Sequence, residues 1–114
     1  MSVLLVAVGA ALGAPLRYAA GHFLDRDHGG LPWGTILVNV AGSFLLGLCT
    51  GLALSGATYA LVGTGFSGAL TTFSAFAVQS HDRGRLVGSL NVGLTVLPAF
   101  LLCAAGFWLG QAWP

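Results

Sequence analysis

The sequence contains no Lys and no Glu, and its four Arg and three Asp bring the charged fraction to only 6%. A soluble domain carries about 25% charged residues, so a soluble globular protein is excluded. Hydrophobic residues make up 56% of the chain instead. This composition is typical of a membrane protein.

Nucleic-acid binding and enzyme catalysis both lack the residues they need. A net charge of +1 without any run of basic residues offers no surface for nucleic acid. Cys49 and Cys103 fall in apolar segments and are predicted to be small packing residues. The histidines at 22, 28 and 81 lie near predicted helix ends without metal-ligand spacing, and no nucleophile or carboxylate pairs with them at a helical offset. An enzyme is therefore not predicted.

Four long apolar stretches remain, separated by short polar turns. A membrane-spanning helix needs about 20 mostly apolar residues, and the interval between Asp27 and Asp82 holds no formal charge, which leaves room for two spans there and one on each side. The first stretch has no Lys or Arg before it, so we predict a retained helix rather than a secretory signal. We predict a single all-α transmembrane domain, residues 1–114, with helices at about 2–24, 31–54, 58–80 and 86–112.

Small residues recur every fourth position along the predicted helices. Because lipid provides no hydrophobic drive between helices, such ridges predict close helix packing. In helix 1 this ridge carries Arg17, whose charge would cost about 3 kcal/mol or more within the bilayer unless it snorkels or pairs. Both an interfacial position beside Tyr18 and a polar site stay open. In helix 2 the ridge is Asn39, Ser43, Gly47, Gly51 and Ser55, and it brings an amide donor.

Membrane orientation is weakly specified by the remaining charges. The two polar turns lie on one side and carry Arg26, Arg83 and Arg85, which favours cytoplasmic turns under the positive-inside rule. A bias of this size is small, so insertion in both orientations stays open.

The stretch GTGFSGALTTFSAF, residues 63–76, places glycines and hydroxyl residues in the middle of the third apolar stretch. A broken helix survives in a bilayer only where protein encloses it or where it lines a polar site. We therefore predict that helix 3 is broken near its middle, with freed carbonyls available as cation ligands. Phe73 and Phe76 follow on one helical face. They are either a packed aromatic pair or rings whose positive edges attract an anion.

Four segments resemble the Fluc (CrcB) family of fluoride channels, and the resemblance covers nearly the whole chain. They are GAPLRY (13–18), GTILVNVAGSFLLG (34–47), GTGFSGALTTFSAF (63–76) and, more loosely, NVGLTVLPAFLLCAAG (91–106). The resemblance implies an antiparallel, dual-topology dimer of four-helix subunits in the plasma membrane, with two narrow fluoride pathways and a central structural sodium ion. It also implies passive export of fluoride from the cytoplasm, which lowers its toxicity.

The resemblance further implies roles for single residues. Phe73 and Phe76 would line the fluoride path, and Asn39 would donate its amide to the anion. Gly68 and Thr71 would bind sodium through their backbone carbonyls, and Arg17 would lie near the mouth of the vestibule. The other residues predicted for the fluoride pathway are Thr72, Ser74, Asn91 and Thr95.

The chain departs from the family pattern at several positions. Ala75 replaces a usual threonine, Gln79 stands where an acidic residue is common, and Asn91, Ala99 and Cys103 occupy helix 4 positions where a hydroxyl is commoner. Lost hydroxyls remove partners for a dehydrated anion, so a heterodimer with a homologous subunit stays open beside a homodimer. A small multidrug or cation exporter is a further alternative. It is disfavoured because proton-coupled exporters need a carboxylate within the membrane, and all three Asp lie in turns.

Overall fold

The computed structural model describes residues 2–25 and 30–114 of the chain. Over these ranges, four helical stretches are long and apolar enough to cross a membrane: Ser2–Leu24, Trp33–Gly51, Gly56–Asp82 and Gly84–Ala112. The predictions of an all-α fold with four transmembrane helices and of a multi-pass membrane protein are confirmed. Four residues of the first polar turn, Arg26, Asp27, His28 and Gly29, lie outside the described residues.

The third span is divided into two helices, as predicted. We label the helices α1 (Ser2–Leu24), α2 (Trp33–Gly51), α3 (56–70), α4 (Phe73–Asp82) and α5 (Gly84–Ala112). Thr71 and Thr72 are extended and separate α3 from α4. Within α3, residues Tyr59–Ser67 form a π-helix between two short α-helical turns, a feature that the sequence analysis did not predict.

The second helix is shorter than the predicted 31–54, and its ends explain why. Pro32 lies at the N-cap position, so the helix begins at Trp33. At the other end, Leu54 N–H donates to the Cys49 carbonyl and Ala53 N–H donates to the Thr50 carbonyl, both at 3.0 Å. This is a Schellman motif, and it ends the helix with Ala53 in the left-handed region at φ 56°.

Glycines bring the helices into contact in two pairs, α1 with α3 and α2 with α5, which form the most extensive helix contacts among the described residues. A Cβ at Gly9 would overlap the Leu61 carbonyl oxygen, and a Cβ at Gly47 would overlap the Cys103 carbonyl oxygen. These positions belong to the small-residue ridges of the sequence. The ridges therefore act as close-packing surfaces, as expected where lipid gives helices no other reason to associate.

We expect Gly47→Ala to lower the free energy of unfolding by about 1–3 kcal/mol, because the added methyl would force α2 and α5 apart. Gly93→Ala is the matched control. No described atom lies within 4 Å of a Cβ at Gly93, and both changes gain the same helix propensity. Thermal melting of the detergent-solubilised protein measures the difference, and equal melting of the two variants would contradict this packing.

Hydrogen bonds tie three chain segments together at the end of the molecule that carries the polar turns. The Asp25 carboxylate accepts from the Thr35 N–H at 3.0 Å, from the Thr35 hydroxyl at 2.7 Å and from the Gln79 amide at 3.1 Å. The Arg83 guanidinium donates to the Gly30 carbonyl. Asp25 thereby satisfies an N-terminal N–H of α2, and the two polar turns lie at the same end, as predicted.

Candidate functional site

The break in the third span consists of two extended residues. Thr71 has φ −82° and ψ 156°, and Thr72 has φ −148° and ψ 124°. Two consecutive residues in the β region turn the chain away from the axis of α3 before α4 begins at Phe73. Such a break exposes backbone polar groups in the middle of a membrane span, so each of them needs a partner.

The Asn39 side chain supplies the partners for Thr72. Its Nδ2 donates to the Thr72 carbonyl at 3.0 Å, and its Oδ1 accepts from the Thr72 N–H at 2.7 Å. One carboxamide thus pairs with both backbone groups of a residue that has left the helix. Asn39 is 9% exposed, so these bonds form away from bulk water, where an unpaired peptide group is costly. Asn39 therefore stabilises the extended backbone at the break.

The same arrangement frees two backbone carbonyls. In an α-helix, the carbonyl of residue i accepts from the N–H of residue i+4. The N–H of Thr72, which would serve Gly68, goes to Asn39. The N–H of Ala75, which would serve Thr71, goes to the Thr72 hydroxyl at 3.2 Å. The Gly68 and Thr71 carbonyls therefore lose their helical donors.

The two phenylalanines that begin α4 lie side by side. The ring centroids of Phe73 and Phe76 are 5.9 Å apart, with the planes tilted by 44°. Both rings line the cavity described below, and Phe73 is 81% exposed. A ring this exposed is not held in the core of the subunit, so packing within one chain does not account for the position of Phe73.

A chain of hydrogen bonds connects α4 to α5. The Ser80 hydroxyl donates to the Phe76 carbonyl at 2.7 Å and accepts from the Asn91 Nδ2 at 2.9 Å. The Asn91 Oδ1 accepts in turn from the Thr95 hydroxyl at 3.3 Å. Asn91 is completely buried at 0% exposure. Its amide is thus satisfied at both ends and replaces the hydroxyl that the sequence analysis expected at this position.

A cavity of about 620 Å³ lies between α2, α3, α4 and α5. The hydrogen-bonding groups on its wall are those of Asn39, Ser43, Thr64, Ser67, Thr71, Thr72, Thr95 and Tyr59. Ala99 also lines it and presents only a methyl group. The described carboxylates, Asp25 and Asp82, do not reach this wall. An anion in the cavity would therefore meet amide, hydroxyl and aromatic groups without a nearby negative charge.

Over residues 2–25 and 30–114, no three His, Cys or acidic side chains come together as a metal-ligand group. At Gly68, no described heavy atom beyond the adjoining backbone of its own helix lies within 4 Å of a built Cβ, so the space beside this residue is open.

Of the residues that the sequence predicted for the site, the structure brings seven to this wall: Asn39, Gly68, Thr71, Thr72, Phe73, Phe76 and Thr95. Asn91 does not line the cavity but accepts a hydrogen bond from Thr95, which does. Ser74 is exposed, with its Oγ 3.4 Å from the Thr72 Oγ1, and does not line the cavity. Arg17 is exposed on α1 and contributes to neither described cavity. A single subunit therefore does not unite all the predicted groups.

Several residues of the site were not predicted for it from the sequence: Ser43, Tyr59, Thr64 and Ser67 on the cavity wall, and Ser80 beside Asn91. Tyr59 lines the cavity from the first turn of the π-helix, and Ser80 joins α4 to Asn91. Ser80 stands four residues after Phe76, so helical spacing alone could have placed it on the same face. Tyr59 gave no such signal, because the π-helix changes which residues share a face.

The comparisons with known proteins agree on one family. A family model described as CrcB-like protein, Camphor Resistance (CrcB), matches residues 4–110. The chain is 47% identical to the fluoride-specific ion channel FluC 2 of Rhodococcus jostii, with 96% of each protein covered. It is 44% identical to FluC 1 of Frankia casuarinae, with 98% of each covered. It is 42% identical to FluC of Shewanella amazonensis, with 96% of this chain and 93% of that protein covered.

The resemblance found in the sequence motifs is confirmed by these matches. They extend over nearly the whole chain, so the helix break and the residues around it lie within the shared region. The relatives are named as ion channels and not as enzymes, which confirms that prediction as well. The chain belongs to the CrcB family, whose curated relatives are named fluoride-specific ion channels.

Proposed function

We propose that this protein is a fluoride-selective channel that exports fluoride passively from the cytoplasm as an antiparallel dimer. The observation that carries the proposal is the helix break at Thr71 and Thr72. Asn39 bonds both backbone groups of Thr72, and the rings of Phe73 and Phe76 lie side by side directly after the break. The names of the relatives supply the identity of the ion. Passive flow is favoured because the described part of the cavity has no carboxylate to couple transport to protons.

Fluoride is small and strongly hydrated, so a narrow pathway must replace its lost water with hydrogen-bond donors. The Thr95 hydroxyl can turn from Asn91 towards an anion, and the Asn39 amide has a second N–H besides the one bonded to Thr72. The edges of Phe73 and Phe76 then offer weaker, donor-free attraction. Weak binding at several successive sites suits conduction, because the ion must leave as readily as it enters.

A second copy of the chain is the partner that the exposed groups favour. Phe73 and Gly68 are both exposed in one subunit although they lie in mid-span. A polar break exposed to acyl chains is unfavourable, so another protein surface is needed to cover it. In an antiparallel dimer, two such breaks would face each other, and each face would contribute to one of two fluoride pathways.

The central cation fits the freed carbonyls. Gly68 and Thr71 would hold a sodium ion through their carbonyl oxygens, and the matching pair of the second subunit would complete the ligands. The ion would supply positive charge that neutralises the carbonyl dipoles and fixes the two subunits together. Its role would be structural.

We expect replacement of sodium by choline, at equal ionic strength, to lower the melting temperature of the purified dimer and to release subunits. The physical reason is that four freed carbonyl dipoles would then face each other without a cation. Melting in detergent and size-exclusion chromatography measure both effects. Identical melting profiles in the two salts would contradict the sodium site and leave the anion pathway untouched.

A non-self-sufficient partner subunit is the second candidate, and Ala99 favours it. This residue lines the cavity without a polar group, and Cys103, one turn further along α5, has its carbonyl packed against Gly47. A homologous subunit with hydroxyls at these positions could complete one pathway. The hydrogen bonds of Asn91 weigh against this alternative, because they keep a polar group on this side of α5, next to Ser80.

Growth of a fluoride-sensitive bacterial host that lacks its own fluoride exporter tests the export function. We expect expression of this chain to restore growth in millimolar fluoride. Restoration only when a homologous subunit is co-expressed would support the heterodimer instead. No restoration in either case, with the protein present in the membrane, would contradict export of fluoride.

A further inference from the structure

A second cavity, of about 460 Å³, lies where the turn between α4 and α5 meets both helices. Its wall includes His81, Arg85, Ser80 and Ser89. Arg85 and Ser89 are exposed, so the cavity opens to the surface at the end of the molecule that carries the polar turns. None of these groups was assigned to the predicted fluoride pathway.

Ser80 belongs to this second cavity and also to the hydrogen-bonded chain that leads to the first. Its hydroxyl is bonded to Asn91, and Asn91 is bonded to Thr95, which lines the first cavity. A Cβ at Gly88 would overlap the Ser80 carbonyl oxygen. The missing side chain at Gly88 thus lets α5 approach α4 closely at this point. The two cavities are separated by one buried amide with hydroxyls on both sides.

The charges around the second cavity favour an anion. The Arg85 guanidinium contributes a positive charge to the cavity wall. The first turn of α5 also lies here, because Gly84 and Gly88 line the cavity, and that turn contains no acidic residue. The N–H groups of a first helical turn attract anions. Asp82 is the opposing charge on the same turn, and it is not on the cavity wall.

We propose that this second cavity is an anion-collecting entrance, in which Arg85 and Ser89 hold a small hydrated anion before Ser80 passes it to the Asn91 and Thr95 track. The proposal rests on the proposed function, and its ligand is then fluoride. Basic groups at the mouth of a low-dielectric passage raise the local anion concentration and the rate of entry. Asn91 and Thr95 then form the dehydrating part of the route.

A substitution at the entrance and a substitution at Ser80 are expected to change different kinetic quantities, the half-saturating fluoride concentration and the maximal rate. Arg85→Gln should raise the fluoride concentration for half-maximal efflux by about three- to tenfold at low ionic strength, with an unchanged maximal rate. At about 0.5 M salt the difference should shrink towards none, because screening removes the attraction. Arg85→Lys is the matched control, since it keeps the charge and should remain close to wild type. Ser80→Ala should instead lower the maximal rate, and Ser80→Thr, which keeps the hydroxyl, should restore it.

Efflux from liposomes of neutral phosphatidylcholine, measured with a fluoride electrode over a range of fluoride concentrations, tests these expectations. Unchanged half-saturation in Arg85→Gln at low salt would overturn the entrance. Equal damage by Arg85→Lys and Arg85→Gln would also overturn it, because a structural role of arginine would then explain the loss. An Arg85 effect confined to liposomes containing phosphatidylglycerol would assign the cavity to a lipid phosphate instead. Wild-type conduction in the same liposomes separates each of these failures from failure of the proposed function.

Discussion

Phe76→Ile is expected to suppress fluoride efflux by about tenfold or more while the protein remains folded and dimeric. Isoleucine roughly retains the apolar volume but lacks the positive ring edge that would attract an anion in the proposed pathway. An aromatic pair is worth about 0.5–1.5 kcal/mol, and a difference of about 1.4 kcal/mol corresponds to a factor of ten. The centroid distance of 5.9 Å to Phe73 means that the remaining ring would also lose its neighbour.

Phe23→Ile is the control for this substitution. Phe23 is 79% exposed on α1 and does not line the first cavity, so the same change there should leave efflux close to wild type. Size-exclusion chromatography confirms that both variants assemble. Undiminished efflux of Phe76→Ile would mean that the rings serve only to pack the two subunits together.

Asn39→Asp is expected to reduce efflux even more strongly, because it places a negative charge on the cavity wall. The carboxylate could still accept from the Thr72 N–H but could not donate to the Thr72 carbonyl. Its negative charge would repel an approaching anion, and a charge at bilayer depth costs about 2.5–3.5 kcal/mol. A loss of about a hundredfold or more in efflux rate is therefore expected.

Comparison with Asn39→Ala separates the two roles of this side chain. Alanine removes both bonds to Thr72, so it should disturb the break and reduce the effect of sodium on melting. Asn39→Asp retains one bond and should keep more of the sodium effect on melting than Asn39→Ala does. Its efflux should nevertheless be no faster than that of Asn39→Ala. If Asn39→Asp conducts as fast as wild type, Asn39 is a structural clamp and is not part of the anion route.

The break in the third span was accessible from the sequence because its cause is local. Glycines and hydroxyl residues weaken a helix wherever it lies. In a bilayer, such a weakened segment is tolerated only where other parts of the protein enclose it. The four spans were equally accessible, since charge and apolar length fix them. The ends of α2 were not, because the Schellman motif puts Ala53, a residue without special turn propensity, in the left-handed region.

The bonds that Asn39 makes to Thr72 could not be predicted from the sequence. From the sequence Asn39 was an amide donor for the anion, whereas the structure shows both of its polar atoms bonded to Thr72, a residue 33 positions away. Pairings of that kind depend on how two helices pack, and helical spacing within one segment does not contain the information. The same reason hid the link between Ser80 and Asn91, which joins two different helices.

The most direct test of the account is efflux of fluoride and chloride from liposomes that contain this purified chain and no other subunit. The account predicts rapid release of fluoride and chloride release no faster than from empty vesicles, because the donors and ring edges at the break suit a small dehydrated anion. Fluoride release equal to that of empty vesicles, or equal permeability to both anions, would contradict it.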